Sequence, residues 1–151
     1  RPFNNYGPGL KITDRRVLPD FFRDALAGRD IKLFSDGSAT RTFCYVADAV
    51  EGYLRILLSA HDGEAFNIGT EKPEISMLDL AHLVVEVTGT RVKVTRVISE
   101  DPEYLTDNPN RRCPSIAKAR RMLDYNPRVP LRQGLERCHA YYRDNIAGSD
   151  S

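Results

Sequence analysis

Arg1-Pro2-Phe3-Asn4-Asn5-Tyr6-Gly7-Pro8, read together with Asp36-Gly37-Ser38-Ala39-Thr40-Arg41-Thr42-Phe43-Cys44-Tyr45-Val46-Ala47-Asp48, decides how the rest of the chain is understood. The first stretch starts in what reads as the interior of a strand. The second opens on a turn, Ser35-Asp36-Gly37-Ser38, and runs through a strand near Thr42 to Tyr45 into a helix whose apolar stripe is Val46, Val50, Tyr53, Leu54, Leu57 and Leu58. Between the two, Leu18, Phe21, Phe22, Ala25 and Leu26 recur at helical spacing with Gly28 as the stop, and Ile31 to Phe34 reads as a short strand.

Beyond them the alternation continues. A strand is predicted at Ala65 to Ile68. Ser76-Met77-Leu78-Asp79 is a capping-box pattern ahead of Leu80, Leu83, Val84 and Val87, and Gly89 closes that helix. Val92 to Val97 is β-branched and alternating, which predicts a strand. Residues 99–114 read as a polar loop punctuated by proline. Ser115 is placed to cap a helix through Leu123, and Pro130 to sit in the first turn of a last helix carrying Leu131, Leu135, Cys138, Tyr142 and Ile146. This order predicts an α/β domain over 1–147 and a fraying tail over 148–151.

The 151 residues are 41% hydrophobic and 28% charged, the balance of a globular domain and not of a disordered one. A formal net charge of +1 gives no reason to expect nucleic acid or an anionic membrane as partner. The cations are 17 Arg and 5 Lys, and the arginine fork suits bidentate binding of phosphate or carboxylate. Cys44, Cys113 and Cys138 are in no metal-ligand spacing and read as ordinary free thiols; His61, His82 and His139 are scattered and read as surface or helix residues. No apolar run reaches spanning length.

The two opening stretches resemble segments of the extended short-chain dehydrogenase/reductase family, whose NAD-dependent members epimerise, dehydrate or decarboxylate nucleotide sugars. Within it the resemblance is greatest to UDP-glucuronate decarboxylases, although Asn4-Asn5-Tyr6-Gly7-Pro8 also resembles the opening motif of dTDP-glucose 4,6-dehydratases. It covers Arg1 to about Asn145 and implies the C-terminal portion of a doubly wound, Rossmann-like parallel sheet with a smaller substrate-binding lobe of helices and short strands. The glycine fingerprint of a dinucleotide site does not occur, since Gly7 and Gly9 are followed by Ile12. No tyrosine has a lysine four residues later, which is the family's proton-transfer pair. The chain is therefore expected to be inactive alone, to rely on an N-terminal half of the same enzyme for most NAD contacts, and to belong to a cytoplasmic homodimer.

The resemblance also assigns roles. It implies that Arg41 and Arg112 contact the diphosphate of a UDP-sugar, with Asn4 and Arg16 nearby and the Val17 N–H at a helix start offering a further donor. Leu33 and Phe34 would lie along the base, with plain core packing as the competing reading of Phe34, while Pro2 and Phe3 would lie near the nicotinamide. The residues themselves favour arginine for such a site, because charge-assisted forks from separate segments fix an anion better than lysines do. A non-catalytic binder of nucleotide sugars stays open at this level, as does the choice between decarboxylation, dehydration and 4-epimerisation.

Overall fold

In the computed structural model, which describes residues 1–97 and 109–146, short strands and helices alternate along the chain. The strands are β1 (Asn5–Tyr6), β2 (Ile31–Leu33), β3 (Thr40–Arg41), β4 (Cys44–Tyr45), β5 (Ile75–Ser76), β6 (Val94–Arg96) and β7 (Arg111–Arg112). The helices are α1 (Val17–Leu26), α2 (Val46–Leu57), α3 (Met77–Thr88), α4 (Ala117–Leu123) and α5 (Leu131–Ile146). The architecture is mixed α/β with small sheets. β1 pairs parallel with β4, β2 parallel with β6, and β3 sits between antiparallel β5 and parallel β7.

Two cores lie on opposite sides of β4, and the period-2 geometry of a strand is what separates them. Phe43 and Tyr45 join the larger core, built from α1, α3, α5 and β2 around Phe22, Ile31, Leu80 and Leu135. Cys44, between them in sequence, points the other way into a smaller core with Ala49, Phe66, Ile68, Ile116, Ala119, Leu123 and Tyr125. Burial holds the Cys44 thiol up at about 11, as expected of a core thiol. All three cysteines are free.

A parallel ladder stitches the opening residues to the segment after α2. The Arg1 amino group donates to the Phe66 carbonyl (2.9 Å), the Ile68 N–H to the Arg1 carbonyl (2.9 Å), and the Phe3 N–H to the Ile68 carbonyl (3.0 Å). Pro2 and Ile68 form the bridge. The strand predicted at Ala65 to Ile68 is therefore present only as this ladder. Proline contributes no donor, and its place at this bridge costs no ladder bond on the paired side.

Local expectations fare unevenly. Ser76 caps α3 through the Asp79 N–H (3.0 Å), its hydroxyl donates to the Asp79 carboxylate (2.6 Å), and Gly89 ends the helix at φ 65°. Ser115 is one residue too early to be the cap of α4; Ile116 holds that position, and the Ser115 hydroxyl accepts from the Ala117 N–H (3.4 Å). The strand expected near Thr42 to Tyr45 is two strands, β3 and β4, because Thr42 and Phe43 lie between pairings with different partners. Arg111 and Arg112, expected in a loop, form β7. The rest of that loop over 98–108, and the tail over 148–151, lie outside the described residues.

The largest surprise is α2. Its buried residues are Asp48, Ala49 and Gly52, and its apolar stripe faces outward, with Leu57 77% and Leu58 83% exposed. The inner face is small because Ile68 and Tyr125 press against it: a Cβ on Gly52 would stand 2.9 Å from both. Among the described residues no helix is long and apolar enough to cross a membrane.

Candidate functional site

Strand pairing brings the two decisive arginines together. Arg41 on β3 lies opposite Arg112 on parallel β7, and Thr40 lies opposite Arg111. Arg41 is 7% exposed, with one guanidinium nitrogen donating to the Thr40 carbonyl (2.7 Å). Burial, and then the charge of Arg112, pull the Arg41 guanidinium below its ordinary range, so the pair carries concentrated positive charge at a partly desolvated place. Arg112 itself is exposed.

The neighbours of this pair hold the strands in register. Glu74 takes both Arg111 nitrogens (2.8 Å each) and the Thr40 hydroxyl (2.6 Å), tying β7 to β3 from outside. These hydrogen bonds keep the Glu74 carboxyl below its usual range. Arg111 is thereby committed to a carboxylate, whereas Arg112 on the next residue shows no such ion pair among the described residues. Thr42, beside Arg41, is wholly buried, and its hydroxyl has no hydrogen-bond partner.

Asn4 reaches the same place from the opening stretch. It sits at φ 44°, a conformation asparagine tolerates better than most residues, and this turns its side chain so that Nδ2 donates to the Thr42 carbonyl (2.8 Å). The Asn4 carbonyl in turn accepts from the Cys44 N–H (3.2 Å). Asn4 is thus tied to the residue that follows Arg41, while Arg41 and Arg112 are register partners. Pro2 and Phe3 lie on the adjoining ladder, where Phe3 Cβ and Pro114 crowd the space beside Gly69.

The other expected residues stand in separate settings. Arg16 is exposed at the start of α1 and bound to the Asp14 carboxylate through two nitrogens (3.0 and 2.6 Å), so its charge is already matched locally. Asp14 accordingly lies below the usual carboxylate range. Val17 is the first residue of α1. On β2, Leu33 is buried in the larger core and its carbonyl accepts from the Val97 N–H (2.7 Å), while Phe34, one residue past the strand, is 46% exposed. An aromatic ring that open does not fit the reading of Phe34 as plain core.

Sequence reasoning passed over Glu74, Thr42 and Asp48. Asp48 is buried on the inner face of α2, and its carboxylate accepts from the Val129 N–H (2.9 Å), fastening the segment that leads into α5. The one available signal was position: Thr42 and Asp48 both lie inside the quoted stretch, six residues apart. Glu74 had none.

An arginine-bearing corner where β3 meets β7, on an α/β frame, is the arrangement these features define. Residues 1–69 match the family model described as NAD dependent epimerase/dehydratase family, and the relatives extend that likeness over most of the chain, which marks it as a fragment related to that family. It is 38% identical over 135 residues to UDP-glucuronic acid decarboxylase 3 of Arabidopsis thaliana, an alignment covering 89% of this chain and 37% of that protein. The crystal structure of UDP-glucuronic acid 4-epimerase from Bacillus cereus, in complex with UDP-glucuronic acid and NAD, superposes with a TM-score of 0.83 at 27% identity, over 95% of this chain and 44% of that one. The UDP-glucose 4-epimerase of Thermotoga maritima, solved with UDP-glucose, gives 0.86 at 27% identity, over 97% and 45%. The chain therefore spans less than half the length of the relatives it matches.

Proposed function

We propose that this chain is the nucleotide-sugar-binding part of an NAD-dependent enzyme, and that Arg41 and Arg112 receive the diphosphate of a UDP-sugar. The observation that supports this most is the register pair itself: two arginines opposite each other on adjacent strands, one of them buried, gather positive charge in one place. Asn4 joins that corner through Thr42. Phe34, 46% exposed just past β2, would lie along the base, and Pro2 and Phe3 would approach the reacting end.

The favoured reaction is decarboxylation of UDP-glucuronate to UDP-xylose and carbon dioxide, as the family resemblance and the Arabidopsis relatives suggest. The likeness to two 4-epimerases supports a second reading, inversion at C4 of the sugar. NAD, when bound, would accept and return the hydride in either case. The described residues do not fit its pyrophosphate: Gly7-Pro8-Gly9 does not open a helix, since α1 starts at Val17. The doubly wound sheet that would carry NAD is thus proposed to be completed by a preceding N-terminal half, with the Arg1–Phe3 and Phe66–Ile68 ladder as its last strands. This chain would contribute binding energy at the remote diphosphate, which holds the sugar in place for the reaction.

Calorimetric titration with UDP-glucuronate tests the site. Arg41→Ala is expected to weaken binding by about 2–4 kcal/mol, the usual cost of truncating one partner of a buried charged contact. Arg41→Lys is expected to recover part of that loss, because it keeps the charge and forfeits the fork. Undiminished binding by a folded Arg41→Ala variant would reject the diphosphate assignment.

A further inference from the structure

The sheet of β5, β3 and β7 has two faces, and they carry different groups. Register pairing sets Thr40 beside Arg111 and Arg41 beside Arg112, and successive residues of a strand point to opposite sides. Arg41 and Arg112 therefore share one face, and Thr40 and Arg111 the other. On that second face Glu74, the residue before β5, accepts from the Thr40 hydroxyl (2.6 Å) and from two Arg111 nitrogens (2.8 Å each). Because β5 is itself paired with β3 through Ile75 and Ser76, this one carboxylate links all three strands.

β7 needs such a hold. It is two residues long, both are exposed, and among the described residues β3 is its only strand partner, with the Asn110 carbonyl accepting from the Thr40 N–H (2.8 Å). Strands of globular proteins usually run longer, and a ladder of two pairs holds little by itself. Just downstream the Cys113 thiol donates to the Glu71 carbonyl (3.6 Å), and the Glu71 carboxylate accepts from the Ile116 N–H (3.0 Å). The stretch from Glu71 to Glu74 thus grips the chain on either side of Arg112.

We propose that Glu74 is a positioning residue for the diphosphate site: by clasping Arg111 to Thr40 on one face of the sheet, it fixes β7 so that Arg112 stands beside Arg41 on the other. The inference rests on the reading of Arg41 and Arg112 as diphosphate ligands. Glu74 acts here without meeting the anion, and against its own charge. A carboxylate near a cationic corner lowers the positive potential there, so charge alone predicts that its removal tightens anion binding. Positioning predicts the opposite, because an arginine displaced by about an ångström forfeits its forked contact. Salt screens exposed charges beyond roughly 8 Å, which leaves geometry the larger effect across the sheet. An exposed ion pair also adds little to global stability, so binding and folding can be read apart.

The test is calorimetric titration of the 151-residue chain with UDP, the part that all UDP-sugars share, in about 0.15 M salt. Glu74→Ala is expected to bind UDP about tenfold more weakly, with a melting temperature within a few degrees of wild type. Arg111→Ala is expected to weaken binding to a similar degree, and the double variant to bind no more weakly than either alone, because the pair acts as one unit. Cys113 follows Arg112 and is the one half-buried thiol of the three, so its maleimide labelling is expected to speed up in each variant. Unchanged or tighter UDP binding by a folded Glu74→Ala variant overturns the proposal and leaves Glu74 as a mere surface charge. Losses that add in the double variant overturn it too, since the two residues would then act separately. Should Glu74→Ala fail to fold, wild-type affinity with unchanged Cys113 labelling in Arg111→Ala overturns it alone. Arg41→Ala is titrated alongside: loss of UDP binding there with none in Glu74→Ala rejects the clasp and keeps the diphosphate site, whereas UDP binding indifferent to Arg41 rejects the site and this role of Glu74 with it.

Discussion

At the scale of single residues, the corner around Arg41 carries an internal cost. Arg41 and Arg112 face each other as like charges, and the Thr42 hydroxyl is buried with no partner. Replacing an unpaired buried hydroxyl by an apolar group of similar shape is neutral to stabilising. Thr42→Val is therefore expected to raise stability to urea by up to about 1 kcal/mol, and a loss of stability would show that the hydroxyl is held by a contact the structure does not reveal. Arg16 contrasts with Arg41. Because it is matched by Asp14 at the surface, Arg16→Ala is expected to change UDP-glucuronate affinity far less than Arg41→Ala, measured by the same titration. Type and position in the sequence made both arginines candidates; the local carboxylate that distinguishes them depends on side-chain reach, which spacing does not express.

At the scale of elements, capping and periodicity were readable and partner choice was not. Ser76, Gly89 and the helical rows behind them are local signals, and α1 and α3 lie where they point. The apolar row of α2 was equally clear, yet it lies outward, since the inner face is chosen by close approach of Ala49 and Gly52 to Ile68 and Tyr125. Gly52→Ala adds a good helix former and is still expected to destabilise by about 1–3 kcal/mol from overpacking, read from chemical denaturation. β7 escaped notice because two arginines carry no strand signature until β3 is beside them. Glu71 supplies a pH-dependent clasp between the loop after Gly69 and α4: its carboxylate accepts from the Ile116 N–H (3.0 Å) and from Arg120 (3.1 Å), and these bonds hold its pKa below the ordinary 4.5. A depressed carboxylate stabilises the fold above its unfolded pKa and loses that contribution as pH falls through the lower, folded value. Melting temperature is thus expected to drop as pH is lowered below about 4.5, and Glu71→Gln to flatten that part of the profile.

At the scale of the whole molecule, the α/β alternation was legible apart from β5 and β7. The division into two cores on either side of β4 was not, because it depends on which way three consecutive residues point. The chain is expected to show no tight NAD binding in equilibrium dialysis, and saturable micromolar binding would contradict the proposed division of labour. The last helix has a further consequence for how such a chain comes to be made. Tyr142 donates to the Leu10 carbonyl (2.8 Å), and the Tyr6 hydroxyl donates to the Leu131 carbonyl (3.2 Å) beside Gly134, where any larger residue would collide with it. The opening motif is therefore latched by residues 125 and 132 positions further along the chain. A nascent chain stalled before α5 emerges would hold its opening motif unlatched, exposed to proteases and chaperones.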